Sequence, residues 1–171
     1  MRALSEDLLV HDHQSAAAQR RGYTTVHFTV WLDRTVGRVV YRLHRRLYRL
    51  TGGLAGHRSP LGPILLLTTH GHRSGYPRTV PLLYFVDGGR HLVMGSHGGR
   101  PGRPGWLYNV RANANVGVQV GRRRFAGEDR QLTEGERDEV WPRLTTSYPG
   151  WAHYQTITDR VIEVVALAPR E

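Results

Sequence analysis

Turns rich in glycine and proline divide the middle of the chain into short apolar segments. The segment at residues 63–69 is an apolar run bounded by turn residues, as a buried strand should be. Further strands are predicted over residues 78–86, 91–96, 116–120, 125–132 and 160–167. Because strands and helices do not alternate, the pattern favours a mainly β (α+β) fold. The expected architecture is an antiparallel β-barrel of about six strands, closed or partly closed, with flanking helices.

Helical periodicity precedes these strands. From Asp33, apolar residues recur at helical spacing, and Gly52 and Gly53 can end the helix. Arginines occupy its polar side, which is the composition of a helix lying on an anionic membrane surface. Core packing with a solvated arginine face is the other interpretation. An N-terminal amphipathic helix is therefore predicted over residues 33–50, and peripheral membrane contact stays an open alternative.

Two further helices are predicted beside the strands. Residues 106–112 can form a short helix behind a loop rich in glycine and proline. A capping box that begins at Thr133 opens a helix running toward Ser147. The sequence Tyr-Pro-Gly then breaks that helix, and a short aromatic segment leads to the last strand.

The composition limits the class of protein. A chain of 171 residues suits one domain, predicted over residues 31–171, and residues 1–30 are interpreted as a mobile extension. The absence of cysteine excludes disulfide scaffolds, cysteine-ligated metal sites and thiol nucleophiles. No secretory signal is expected, and no apolar run reaches the about 20 residues of a membrane span. A cytoplasmic protein is expected, with association to the inner face of the membrane left open.

Charge and missing motifs narrow the function. The net charge is +10, carried entirely by arginine, and it favours an anionic partner without choosing among nucleic acid, lipid and a phosphorylated small molecule. The sequence contains no G-x-S-x-G, H-E-x-x-H or Walker A motif. The histidine pairs His11/His13 and His70/His72 lack a nearby carboxylate cluster, so no metal site is predicted.

Two loops at the ends of predicted strands are rich in glycine and arginine. The first places Arg73 and Arg78 beside a turn whose N–H groups can hold an anion, and arginine can bind phosphate or carboxylate bidentately. The second, residues 96–99 followed by Arg100 and Arg103, offers further donors. A phosphorylated ligand fits both loops, but an ordinary exposed hairpin has the same composition.

A longer set of separated motifs carries a resemblance to a known family. The motifs are Leu66-Leu67-Thr68-Thr69-x-Gly71-x-Arg73-Ser74-Gly75-x-Pro77-Arg78, Pro81-Leu82, Tyr84, Asp87-Gly88, Ser96-x-Gly98-Gly99, Pro104-x-Trp106, Asn109, Tyr148-Pro149, Tyr154-Gln155 and Thr158-Asp159-Arg160. In order and spacing they resemble the deazaflavin-dependent nitroreductase family, over about residues 60–168. That family binds coenzyme F420 on a split β-barrel related to the flavin-binding split barrels.

The resemblance implies a cofactor site for reduced coenzyme F420 as hydride donor. It assigns the turn around Arg73 to the phosphate and glutamate tail, residues 94–99 to the deazaflavin ring and phosphate, and residues 105–109 to a segment that closes over the cofactor. The implied cofactor-binding residues are His72, Arg73, Ser74, Tyr76, Pro77, Arg78, Leu83, Met94, Gly95, Ser96, His97, Gly98, Gly99, Gly105, Trp106, Leu107, Tyr108 and Asn109.

The resemblance also implies a substrate wall and candidate catalytic residues. Tyr148, Trp151 and Tyr154 match the aromatic wall where the family's substrates stack, although core packing of a helix would use the same residues. The acceptor is expected to be an electron-poor quinone, enone or nitroaromatic. Ser96 is the candidate to hydrogen-bond the acceptor or the ring, and Tyr148 or Tyr154 to stabilise negative charge or donate a proton.

Two residues depart from the family pattern. His97 stands where family members commonly have lysine, and histidine titrates near neutral pH whereas lysine is a permanent cation. Trp151 stands where a tyrosine is usual, which removes a phenol that could donate a proton. Reduction of nitro compounds is therefore in doubt, and reduction of other acceptors is not.

Three other functions stay open. The same fold could bind FMN in place of the deazaflavin, or carry the deazaflavin without catalysis. A basic nucleic-acid-binding module would use the arginine helix and the turn at residues 122–124, but the aromatic residues do not interleave with those arginines, so no nucleic acid is expected. The oligomeric state, monomer or homodimer, is not predicted.

Overall fold

The computed structural model describes residues 34–170. The predicted extension, residues 1–30, and the predicted cap Asp33 lie outside the described residues. The chain divides into one unit of residues 1–41 and a second of residues 42–171, which contains every strand described. The prediction of a single domain over residues 31–171 stays a prediction.

The described elements follow in chain order. They are α1 (Arg34–Leu50), β1 (Arg58–Ser59), β2 (Gly62–His70), β3 (Pro77–Asp87), β4 (Arg90–Met94), a 3-10 turn (His97–Gly99), α2 (Gly105–Ala112), β5 (Asn115–Val120), β6 (Arg123–Gln131), α3 (Glu134–Ser147), α4 (Gly150–Thr156) and β7 (Val164–Pro169).

Six strands of the described chain close into an antiparallel barrel. The order is β2-β3-β4-β7-β6-β5, and β5 pairs back onto β2 through Leu66 opposite Gln119 and Leu67 opposite Val118. The short strand β1 pairs with the first two residues of β2, Gly62 and Pro63. The predicted mainly β split barrel with an N-terminal helix and flanking helices is confirmed.

The barrel core follows from alternation along the strands. Leu65 and Leu67 of β2 point inward with Val93, Val118 and Leu167 from the other strands, and all are buried. Helix α2 adds Trp106, Leu107 and Val110 to the same cluster. The barrel is therefore packed with side chains, and α2 is fixed to it by its apolar face.

One tyrosine fixes the C-terminal half of α1. Tyr48 is fully buried, and its hydroxyl donates to the carbonyl of Ile64 (2.8 Å) and accepts from the N–H of Gly121 (2.9 Å). Gly53 follows at a φ of 85°, and a Cβ there would lie 2.5 Å from the Cα of Gly121, so only glycine fits. The apolar stripe of α1 remains exposed at Val39, Val40, Leu43, Leu47 and Leu50.

The last two elements differ from the predictions. The final strand begins at Val164 rather than residue 160, because the N–H of Ile162 bonds to the side chain of Gln155 and not to a neighbouring strand. The aromatic segment after Pro149 forms the helix α4. Proline ends α3 and precedes the first residue of α4, a position where its missing N–H costs nothing.

No helix in residues 34–170 combines the length and apolar character needed to cross a membrane.

Asp129 on β6 gives the fold a pH dependence. Its Oδ1 is buried without a hydrogen-bond partner among the described residues, and burial raises the pKa of this carboxyl from 3.8 to about 6. The folded state therefore holds the proton more tightly than the unfolded chain. The resulting stabilisation is complete below pH 4 and is lost as the pH rises through about 6.

We expect the free energy of unfolding to fall by about 2 kcal/mol between pH 4 and pH 7.5, relative to an Asp129→Asn variant. This value allows for the partial solvent exposure of the group. Urea unfolding at several pH values measures it. Parallel pH profiles for the two proteins would contradict the expectation.

Candidate cofactor and acceptor site

The turn between β2 and β3 presents two arginines to solvent. Hydrogen bonds from the N–H of Gly71 to the carbonyl of Tyr76 (2.9 Å) and from the N–H of Gly75 to the carbonyl of Gly71 (2.7 Å) close the turn. Arg73 and Arg78 are exposed, and within the described part of the chain neither has a carboxylate partner. Two guanidinium groups beside one turn suit a phosphate or carboxylate ligand.

Asn109 ties this turn to α2. Its buried side chain accepts hydrogen bonds from the backbone N–H of His72 (3.0 Å) and from His72 Nδ1 (3.1 Å), and donates to Thr69 Oγ1 (2.9 Å). Because His72 Nδ1 is the donor, Nε2 is left for a ligand. Asn109 thus contacts the turn between β2 and β3, called the arginine turn below, and orients His72 within it.

In the loop after β4, called the left-handed loop below, three successive residues adopt the left-handed backbone conformation. The φ angles are 51° at His97, 65° at Gly98 and 75° at Gly99. For His97 this conformation is strained, and Nδ1 of its ring donates to the carbonyl of Gly102 (2.8 Å). The backbone N–H groups of Ser96, His97 and Gly98 meet no acceptor within residues 34–170. Successive free N–H groups in such a turn form a concave anion site.

An arginine and a glutamate after α4 hold this loop. Arg160 Nη2 donates to the carbonyls of Gly95 and Ser96, at 2.8 Å each. The buried carboxylate of Glu163 accepts from Arg103 (2.7 Å) and Arg111 (2.9 Å). The sequence interpretation gave Arg160 and Glu163 no role. One feature of the sequence could have indicated a role for Glu163: it lies within the apolar strand predicted over residues 160–167. A charged side chain in such a segment is buried only when it has partners.

The predicted aromatic wall is a buried cluster beside the same loop. Tyr148, Trp151 and Tyr154 are 7%, 4% and 8% exposed. The hydroxyls of Tyr148 and Tyr154 lie 3.5 Å apart, and the rings of Tyr148 and Trp151 meet edge to face at 5.2 Å. A Cβ on Gly99 would lie 3.4 Å from the Cα of Tyr154, so the wall directly adjoins the left-handed loop.

An apolar cavity borders this wall. Its volume is about 270 Å³, and Tyr148 and Trp151 form part of its lining. The lining residues are Leu61, Gly62, Pro63, Leu83, Tyr84, Phe85, Val86, Ser147, Tyr148 and Trp151. A planar, apolar molecule suits this lining better than an ionic one.

The structure distributes the other predicted site residues between surface and core. His72, Arg73, Ser74, Tyr76, Pro77, Arg78, His97, Gly98, Gly105 and Tyr108 are exposed, Ser96 and Leu83 are half-buried, and Met94, Gly95, Gly99, Trp106, Leu107 and Asn109 are buried. Trp106 and Leu107 belong to the barrel core. Their cofactor and catalytic roles stay predictions. In the described part of the chain no cluster of His, Asp or Glu could hold a metal ion.

The described residues fit coenzyme F420. Its phosphate and carboxylates need cations and N–H donors, which the arginine turn and the residue 96–98 loop provide. A closed antiparallel barrel with these loops at the ends of its strands matches the class that the sequence resemblance implies, the deazaflavin-binding split barrels.

Comparison with known proteins specifies the family. Residues 40–169 match the F420H(2)-dependent quinone reductase family, and the chain belongs to it. It is 39% identical over 144 residues to an F420H(2)-dependent quinone reductase of Mycobacterium tuberculosis strain H37Rv, covering 82% of this chain and 97% of that protein. The chain is thus an F420-dependent oxidoreductase, and reduced coenzyme F420 is its hydride donor.

Solved structures agree with this assignment. An F420-H2 dependent reductase, FDR-A, is 40% identical, with a TM-score of 0.57, over 62% of this chain and 94% of that one. A structure described as a domain-swapped dimer is 34% identical, with a TM-score of 0.60, over 82% of this chain and 98% of that one.

Proposed function

We propose that this chain reduces a quinone-type acceptor, which it binds in the apolar cavity beside Tyr148 and Trp151. The observation that carries the proposal is that one aromatic wall borders both the cavity and the left-handed loop. Relatives named as quinone reductases support the acceptor class. When bound, the coenzyme supplies two electrons as a hydride. The protein therefore contributes positioning, anion binding and exclusion of water.

The proposed roles follow the geometry. Arg73 and Arg78 bind the phosphate and the glutamate tail, and the N–H groups of residues 96–98 bind the ring or phosphate. Transfer of a hydride and a proton converts a quinone to a hydroquinone. We propose that the paired hydroxyls of Tyr148 and Tyr154 deliver that proton, and that Ser96 hydrogen-bonds the acceptor or the ring.

Reoxidation of reduced coenzyme F420 by purified protein tests the proposal. A panel of quinones, enones and nitro compounds would be followed by the return of the oxidised coenzyme's absorbance. We expect turnover with quinones and weaker or no turnover with nitro compounds, because Trp151 lacks a phenol. Binding without turnover would identify a carrier, and a yellow preparation from a host that makes only FMN would favour the flavin alternative.

The charge of residue 97 should affect cofactor affinity. The Nδ1 of His97 donates to the carbonyl of Gly102, which leaves Nε2 as the ring nitrogen available to an anion. We expect His97→Lys, which puts a permanent cation at this position, to bind oxidised coenzyme F420 up to about tenfold more tightly than the native protein. Fluorescence titration measures both dissociation constants, and equal constants would rule out a charge role for residue 97.

Peripheral membrane contact is proposed for α1. It rests on the exposed apolar residues of that helix and on the exposed arginines among them, such as Arg42 and Arg46, a combination that suits an anionic lipid surface. Co-sedimentation with phosphatidylglycerol vesicles, and its absence with phosphatidylcholine vesicles, would support this contact. A relative forms a domain-swapped dimer, so gel filtration of the same protein distinguishes a second copy from lipid.

A further inference from the structure

Arg160 holds the left-handed loop, residues 96–99, by hydrogen bonds to backbone carbonyls in and beside it. Its Nη2 donates to two consecutive carbonyls, those of Gly95 and Ser96, and its Nε to the carbonyl of Arg100 at 3.4 Å. Arg160 is 65 positions from Gly95 and 64 positions from Ser96 in the sequence. One guanidinium therefore fixes the beginning of the loop and its far end at the same time.

These bonds determine where the loop's N–H groups point. In a trans peptide the C=O and N–H groups point in opposite directions. When the carbonyls of Gly95 and Ser96 face Arg160, the N–H groups of Ser96 and His97 must face away from it. These are the N–H groups that lack an acceptor in the described part of the chain. The guanidinium thus turns two peptide dipoles so that their donors face the ligand side.

The strain in the loop makes such support necessary. His97 has a φ of 51°, a conformation that a non-glycine residue keeps only when its surroundings hold it. The loop's own bonds near this residue are few: Gly99 N–H to the Ser96 carbonyl (3.0 Å), Arg100 N–H to the His97 carbonyl (3.4 Å), and His97 Nδ1 to the Gly102 carbonyl (2.8 Å). Arg160 adds charged hydrogen bonds, which are the stronger kind.

We propose that Arg160 is a positioning residue of the cofactor site, which orients the N–H groups of Ser96 and His97 toward the deazaflavin or its phosphate. This inference rests on the proposed cofactor site. Arg160 does not itself touch the ligand in this role. Its positive charge lies behind the two peptide dipoles and favours an anionic group in front of them.

The test compares Arg160→Gln and Arg160→Lys with the native protein. We expect Arg160→Gln to weaken binding of oxidised coenzyme F420 about tenfold, because charged hydrogen bonds to two carbonyls are lost. The KM for the quinone should change less than about twofold. Arg160→Lys keeps the charge and should recover part of the affinity, but not all, because lysine lacks the planar fork.

Arg137 offers a matched control. Its Nε donates to the carbonyl of Ile162 (2.9 Å) and its Nη2 to Gln155 (3.1 Å), so it also holds backbone with a guanidinium but does not bond to the loop. Arg137→Gln should lower the melting temperature without changing the dissociation constant of the coenzyme. If Arg137→Gln and Arg160→Gln weaken binding equally, general destabilisation explains the loss and the proposal is wrong.

Amide hydrogen exchange tests the positioning without any cofactor. In Arg160→Gln the N–H of Gly99, which bonds to the Ser96 carbonyl, should exchange about tenfold faster, while amides of β5 keep their native rates. Unchanged Gly99 exchange would overturn the inference even if the coenzyme binds as proposed. Faster exchange together with a native protein that does not bind the coenzyme would contradict the proposed function and leave the positioning of the loop supported.

Discussion

Replacing Tyr148 and Tyr154 together by phenylalanine should lower turnover with a quinone about a hundredfold, the usual scale of a lost proton donor. The dissociation constant of coenzyme F420 should change less than about twofold, because neither phenol is assigned to the cofactor. Stopped-flow reoxidation of the reduced coenzyme at saturating quinone gives the first quantity, and fluorescence titration gives the second.

The geometry of the pair explains why both must be replaced. The two hydroxyls lie 3.5 Å apart, and both side chains are more than nine-tenths buried. Either hydroxyl can therefore stand in for the other as proton donor, and each single variant should retain more than the double variant. If the fold-reductions in turnover of the two single variants multiply to give that of the double variant, the two tyrosines have independent roles instead.

Tyr48 supplies a control for the loss of a buried hydroxyl. Its OH bonds to Ile64 and Gly121 rather than to the aromatic wall. Tyr48→Phe should cost about 1 kcal/mol of stability and leave the turnover of folded protein unchanged. If the double variant keeps native turnover, the two tyrosines are not part of the chemistry and serve as packing.

The barrel could be predicted from sequence because its turns are local. Gly88 and Gly89 have positive φ angles, and they separate β3 and β4 between the strands predicted over residues 78–86 and 91–96. The pairing of β2 with β5 could not be derived from composition or spacing, because Leu66 and Gln119 are far apart in the chain. The first residue of β7 was also missed, since the partner of Ile162 is the side chain of Gln155 on another element.

The site shows the same division. The resemblance located both loops, and the structure shows the exposed arginines and the left-handed glycines at those positions. What holds the loops could not be predicted, because Asn109 contacts His72 across 37 positions and Arg160 contacts Gly95 across 65. A single sequence shows that an arginine is present, but not which backbone carbonyl its guanidinium hydrogen-bonds. Supporting residues are thus less visible in a sequence than ligand-facing ones.

Glu163→Gln should destabilise the protein more than any other charge removal considered above. The carboxylate is 7% exposed and is the counter-ion of both Arg103 and Arg111. Without it, two like charges remain side by side. Breaking a fully buried ion pair typically costs about 3–5 kcal/mol. Because these arginines are 38% and 42% exposed, we expect a loss of about 2–3 kcal/mol in urea unfolding at pH 7.

Glu128 provides the exposed counterpart. It pairs with Arg170 at 2.8 Å, but both side chains are more than half exposed. Glu128→Gln should therefore cost less than about 0.5 kcal/mol, and 1 M salt should abolish that difference. The loss in Glu163→Gln should persist in salt, and adding Arg111→Gln should restore part of it, because one unbalanced charge is then removed. Equal losses in the two single variants would show that burial gives Glu163 no special weight.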